Sequence, residues 1–329
     1  MVTYSSSNRA GKDLRTLLNI MCRSFLSPYF DEDGNFVNVG RGNIGVVSLN
    51  LPMIWKKSDG KTFYEDLENY LLMIRKFFKK RMELMADMPA SINPVMWLHG
   101  GFKSDLKYPD EKIGYRNLKS FTASFGVTAL NELNMLMEGK FLHQSDRKLV
   151  NGVVDFINEK IEEYKEEDGI LYSIYGTPAE SLSGTQLQQF RKMFGTIEGV
   201  SDREYFTNSF HIPVWADITP MQKQDMEVEL FHKFKGGHIQ YCRIDNPENM
   251  NAIKAIVERA MSLGLYFGVN VILTICDECG YRSPTDDIEV CPICGCNEIT
   301  MMGRICGYIG LYKRMADHKR KEITERISM

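Results

Sequence analysis

The chain has 329 residues, 43% of them hydrophobic and 25% charged, and a formal net charge of -3. That length supports a sizeable core in one large or two smaller domains, and the composition is that of an ordinary globular protein. The slight acidity offers no electrostatic footprint for nucleic acid. No apolar run approaches the roughly 20 residues needed to cross a bilayer. The segment from Met1 to Arg15 is polar and lacks an apolar signal core, so the expected compartment is the cytoplasm.

Taken in chain order, Asp31-Glu32-Asp33-Gly34-Asn35 predicts a turn and residues 44–51 a buried strand. Apolar spacing at Leu67, Leu71, Leu72, Ile74, Phe77 and Phe78 predicts a helix over 63–86, with Lys76, Lys79, Lys80 and Arg81 on a solvated face. Further helices are expected over 124–138, 145–166, 184–194 (Leu187, Phe190 and Met193 on one face) and 221–234. A strand over 238–244 precedes a helix capped by Asn246, with Pro247 at its first position, that runs to Leu263 and stops at Gly264. Residues 265–273 read as another strand. Strands alternating with helices predict an α/β architecture with mainly parallel pairing.

The sharpest local signal lies in the cysteines. Of eight, five fall between 276 and 296. Cys276-x2-Cys279 and Cys291-x2-Cys294 form two knuckles, each followed by a glycine (Gly280, Gly295) that relieves the tight turn. Four thiolates close a tetrahedral shell, which predicts a structural metal, zinc by default over a rubredoxin-like iron. Cys296 is a spare thiol that can compete as a ligand. The intervening residues 284–289 are acidic, which gives little support to a nucleic-acid role.

Arg304-Ile305-Cys306-Gly307-Tyr308 follows. By composition it is a strand entering a glycine turn. It is also similar to the radical loop of glycyl radical enzymes, where loss of the glycine α-hydrogen leaves a radical stabilised by the flanking amides. Met21-Cys22-Arg23-Ser24-Phe25-Leu26, the run Asn43 to Pro52, Tyr175-Gly176-Thr177-Pro178-Ala179-Glu180-Ser181-Leu182 and the run Tyr205 to Val214 complete a series in one order. Together these residues resemble the anaerobic ribonucleoside-triphosphate reductase family along essentially the whole chain.

The resemblance implies half of a ten-stranded α/β barrel over residues 1–270, with a finger loop near 15–45. A four-cysteine zinc knuckle over 271–300 and a glycyl radical loop with C-terminal helix over 301–329 would follow. It implies Gly307 as the radical store and Cys22 as the thiyl that takes hydrogen from the ribose 3′ carbon; read alone, Cys22 is an inert buried thiol. Asn43 and Ser24 match positions beside the ribose hydroxyls. Thr177-Pro178-Ala179-Glu180 reads as a capping box, Thr177 at the cap and Glu180 reaching back. Gly176 through Ser181 would then meet the substrate phosphates at a helix start. His99, Asn208 and His211 carry no derivable role, and a hydrogen-bonded core histidine is a sufficient reading of His211. Cys306 reads as a packed thiol.

Family members are about twice as long, so the expectation is a C-terminal catalytic part working with a complementary N-terminal reductase chain, as a split protein or a fragment. Implied partners are a ribonucleoside triphosphate, formate or a thiol as reductant, and a radical-SAM activase with S-adenosylmethionine and a 4Fe-4S cluster. The assembly would be a homo-oligomer, with neither nucleic acid nor membrane involved. Ile20 stands where formate users carry methionine, which counts against formate and leaves a thiol reductant open. The rival readings are a non-catalytic spare part that restores a damaged glycyl loop, and a zinc-ribbon binding protein.

Overall fold

The computed structural model describes residues 25–244, 247–285, 288–305 and 308–327. In chain order these form β1 (Asn43–Asn50), α1 (Leu51–Lys57), α2 (Phe63–Asp87), α3 (Pro94–Trp97), β2 (Thr122–Thr128), α4 (Leu130–Glu138), α5 (Lys148–Asp168) and β3 (Leu171–Gly176). Then come α6 (Leu182–Phe194), α7 (Pro220–Lys233), β4 (Gln240–Arg243), α8 (Met250–Ser262) and β5 (Phe267–Asn270). The last section holds β6 (Leu273–Cys276), β7 (Arg282–Ser283), β8 (Ile299–Arg304), β9 (Ile309–Leu311) and α9 (Asp317–Thr324).

Helical spacing decides the outer layer. α2 buries Phe63, Leu67, Leu71, Ile74, Phe78, Met82 and Ala86, one stripe at steps of three and four. α5 buries Val150, Val153, Val154, Ile157, Ile161 and Tyr164 in the same manner. Phe77, part of the apolar spacing that predicts α2, faces outward at 49% exposure. Both stripes cover a parallel sheet in the order β1-β2-β3. All seven residues of β2 are buried, as befits a central strand covered on both faces. Arg75 grips Asp168 through two 2.7 Å bonds and fastens α2 to the end of α5.

β4 and β5 form a second parallel pair. Gly236 donates to the Ile174 carbonyl at 2.7 Å and Gly176 to the Gly237 carbonyl at 2.8 Å, so the segment entering β4 is stitched to β3. The parallel strands therefore follow one another in chain order with helices between them. β6 to β9 form a separate antiparallel sheet in the order β7-β6-β8-β9.

Three expectations are corrected. Residues 124–138 are not one helix: β2 ends at Thr128, Ala129 takes φ 62°, and only α4 is helical. The helix expected from Asn246 begins at Met250, capped by the Asn249 side chain on the Ala252 amide. The strand expected over 265–273 splits at residue 271 into β5 and β6, which join different sheets. No helix among the described residues is long and apolar enough to cross a membrane.

Candidate functional site

The four-cysteine cluster is built by the β6–β7 and β8 region. Cys276, Cys279, Cys291 and Cys294 bring their sulfurs within 4.8 Å of one another. Cys276 and Cys294 sulfurs are 3.6 Å apart and those of Cys279 and Cys291 3.5 Å, far beyond the roughly 2.05 Å of a disulfide. Four sulfurs about 2.3 Å from one centre would stand at nearly this spacing. The two knuckles repeat one geometry: Gly280 donates to the Cys276 carbonyl and Gly295 to that of Cys291, at φ 74° and 72°. The Cys279 amide, directed at the Cys276 sulfur, pulls that thiol below its ordinary value. Burial pushes Cys291 up, but the Cys294 and Ile293 amides outweigh it and bring the thiol to about 6. Donor set and spacing fit zinc. Cys296 lies outside the cluster, with the Glu298 amide 3.2 Å from its sulfur.

Cys22, Ser24, Cys306 and Gly307 lie outside the described residues. The chain just after Ser24 enters beside the start of β4: Phe25 donates to the Gly236 carbonyl at 2.9 Å and sets its ring edge-on to His238. Ser27 then bonds Thr122 Oγ1 and the Tyr172 carbonyl, at the starts of β2 and β3. Asn43 stands at this same end of the sheet. Its side chain spans Ser124 Oγ, 2.8 Å away, and the Gly45 amide at 2.7 Å.

Residues 176–181 lie at the other end, where the strands finish. Register pairs Asn43 with Thr122 and Thr122 with Leu171, five positions before Gly176. At about 3.3 Å per residue, Asn43 and Gly176 are separated by on the order of 17 Å along the strands. Thr177 does not cap a helix. Its hydroxyl bonds Ser48 Oγ at 2.7 Å, Ala179 adopts φ 51°, and α6 begins only at Leu182. A left-handed residue cannot occupy the first turn of a helix, so the helix start is delayed past it. The capping box exists elsewhere, at Thr219 and Gln222 before α7.

The Ser48–Thr177 bond crosses the strand between them. Gly126 of β2 makes room, since a Cβ there would overlap both hydroxyls. Gly176 similarly lies against Ser209, whose Oγ a Cβ would meet at 2.6 Å. Spacing in the sequence gives no hint of either contact, because both join distant segments. Glu180 reaches the last part of the chain: Tyr308 Oη donates to its carboxylate at 3.1 Å, and His318 Nε2 is 3.0 Å from its carbonyl.

His211 is buried, its Nδ1 3.3 Å from Glu227, which also accepts from Lys223 Nζ at 2.7 Å and the Ile212 amide at 2.9 Å. Burial pushes the Glu227 carboxyl up, but Lys223 and His211 outweigh it and hold it down at about 2. His211 is thus a core histidine in an ionic network. Asn208 is buried with it, whereas His99 is exposed on a loop.

The fold and cluster define an α/β protein of parallel strands that carries a four-thiolate metal-type site on an antiparallel lobe. The profile of the family described as "Anaerobic ribonucleoside-triphosphate reductase" matches residues 2–328. The chain is similar to the anaerobic ribonucleoside-triphosphate reductase of Escherichia coli K12, at 30% identity over 301 residues, covering 88% of this chain and 42% of that protein. It is similar to the phage T4 enzyme of the same name at 31% over 322 residues, covering 93% and 52%. A solved anaerobic ribonucleotide reductase shares the fold with a TM-score of 0.67 at 22% identity, covering 92% of this chain and 47% of that one. The chain belongs to the anaerobic ribonucleoside-triphosphate reductase family. It spans about half the length of these curated relatives.

Proposed function

We propose that this chain supplies the radical-bearing part of an enzyme that reduces ribonucleoside triphosphates to deoxyribonucleoside triphosphates without oxygen. The observation that carries the reading is the bond between Tyr308 and Glu180, at 3.1 Å. It joins the residue next to the expected radical glycine with the loop expected to meet substrate phosphates. The succession of parallel strands from β1 to β5 supports a half-barrel, and the Phe25 contacts at Gly236 and His238 support a finger loop that enters between β3 and β4.

In this reading an activase removes the α-hydrogen of Gly307, using S-adenosylmethionine and a 4Fe-4S cluster that belong to the activase. The glycyl radical takes the hydrogen atom of the Cys22 thiol, leaving Gly307 whole and Cys22 a thiyl. The thiyl takes the ribose 3′ hydrogen and becomes a thiol, the 2′ hydroxyl leaves as water, formate or a pair of thiols supplies two electrons, and the Cys22 thiol returns its hydrogen to the 3′ carbon, regenerating the thiyl. Asn43 and Ser24 hold the ribose hydroxyls, and residues Gly176 through Ser181 meet the phosphates ahead of α6. Cys276, Cys279, Cys291 and Cys294 would hold a structural zinc, with no open position for chemistry. The rest of the reductase, on this or another polypeptide, completes the barrel. A spare part would need only the last segment, and the family match over 2–328 gives that reading no support.

Anaerobic electron paramagnetic resonance after activation tests the assignment. A doublet is expected, collapsing to a singlet when glycine is α-deuterated, and Cys22→Ser should keep the doublet while abolishing turnover. A doublet indifferent to deuterated glycine, or turnover in the Cys22 variant, overturns it.

A further inference from the structure

Buried charge is concentrated where the C-terminal helix meets the strand that leads to Gly307. Lys319, Glu322 and Arg326 are 1%, 2% and 6% exposed. Lys319 Nζ bonds the Glu322 carboxylate from one side, and Arg326 Nη2 bonds it from the other at 2.8 Å. Arg326 then continues past its partner. Nη1 donates to the Arg304 carbonyl at 2.7 Å and Nη2 to the Ile305 carbonyl at 2.7 Å. Those are the last two described carbonyls before Gly307.

The fork is itself immobilised. Its guanidinium carbon lies 6.0 Å from the centre of the Tyr241 ring, which also receives Lys223 Nζ at 5.1 Å. Arg243 Nη1 donates to the Arg326 carbonyl at 2.6 Å, and the Ile327 amide to Val214 at 2.9 Å. Upstream, the Arg304 amide donates to Asn270 Oδ1 at 2.9 Å. Taking a charge out of water costs several kcal/mol, and apolar packing would stabilise a helix end as well or better. Only a planar, fixed fork reaches two successive carbonyls while a carboxylate sets its plane; a lysine is a point charge and does not.

We propose that Arg326, oriented by Glu322, is a positioning residue for the radical glycine. It fixes the carbonyls of Arg304 and Ile305, from which the expected radical loop departs. The role rests on the assignment of the radical to Gly307. Tyr308, bonded to Glu180, steadies the backbone on the other side of Gly307.

The test uses the activated, complete reductase, with zinc content, the Gly307 doublet, kcat and KM read for wild type, Arg326→Lys and Glu322→Gln. Arg326→Lys is expected to hold zinc normally, yet to show a changed α-hydrogen splitting and a kcat lower by roughly 10- to 100-fold at nearly unchanged KM. Wild-type splitting and kcat in that variant overturn the proposal. If Arg326→Lys loses its zinc and fold, Glu322→Gln decides. It keeps the fork and removes the charge that orients it, and wild-type behaviour there is equally fatal. A wild-type enzyme whose doublet ignores α-deuterated glycine refutes the Gly307 assignment itself, an outcome distinct from a wild-type doublet that Arg326→Lys leaves unaltered.

Discussion

Single residues with no side chain carry much of this arrangement. Gly126 has ordinary strand neighbours in sequence, yet it is the gap through which Ser48 and Thr177 meet. Gly126→Ala should cost about 1–3 kcal/mol, the usual penalty for overpacking, and should raise KM for the nucleotide by disturbing residues 176–181. An unchanged urea midpoint would show that the two hydroxyls separate freely. Thr177 shows why such roles escape a reading of the sequence. Its local pattern is that of a helix cap, but a hydroxyl 129 positions away claims it. His211 was ambiguous for the opposite reason: a buried histidine looks alike in sequence whether it meets Glu227 or a substrate. Lys319, Glu322 and Arg326 are charged residues that only tertiary packing turns inward.

At the level of elements, the gathering of the four cysteines was legible, because their spacing and the glycines that follow are local features. Long amphipathic helices were legible for the same reason, α2 and α5 above all. β2 was not. In Thr-Ala-Ser-Phe-Gly-Val-Thr the apolar Ala123, Phe125 and Val127 alternate with small residues, but the run is short and leads within two residues into the helical pattern of α4, which masks it. The cysteine lobe hands its strand β8 directly to Arg304, which makes a prediction for the metal. We expect one zinc per chain. Its removal by chelation, or by Cys279→Ser, should leave far-UV helix content nearly intact while lowering the yield of glycyl radical. Full radical yield in zinc-free protein would dissociate the lobe from the loop.

At the scale of the whole molecule, one side is uncovered among the described residues. Among the described residues β1 pairs only with β2, and an open groove of about 830 Å³ runs beside it, lined by Val47, Met73, Phe77 and Met193. Phe77, Met73 and Met193 are 49%, 60% and 55% exposed, an unusual concentration of apolar surface next to a free parallel edge. On the proposed function, the rest of the reductase would pack on this face. Phe77→Glu should weaken that association at least roughly tenfold in a titration while leaving zinc content unchanged. Undiminished affinity would locate the interface elsewhere.

Asn270 ends β5, Arg304 ends β8, and the bond between them is 2.9 Å long. The chain thus leaves the α/β body and touches it again at a single point, making residues 271–303 a closed detour, on whose last strand β9 then pairs. Closing a detour costs an entropy that grows only with the logarithm of its length. Its outer tips can therefore be lengthened or trimmed at little expense to the body, whereas the doorway at Asn270 and Arg304 admits almost no change.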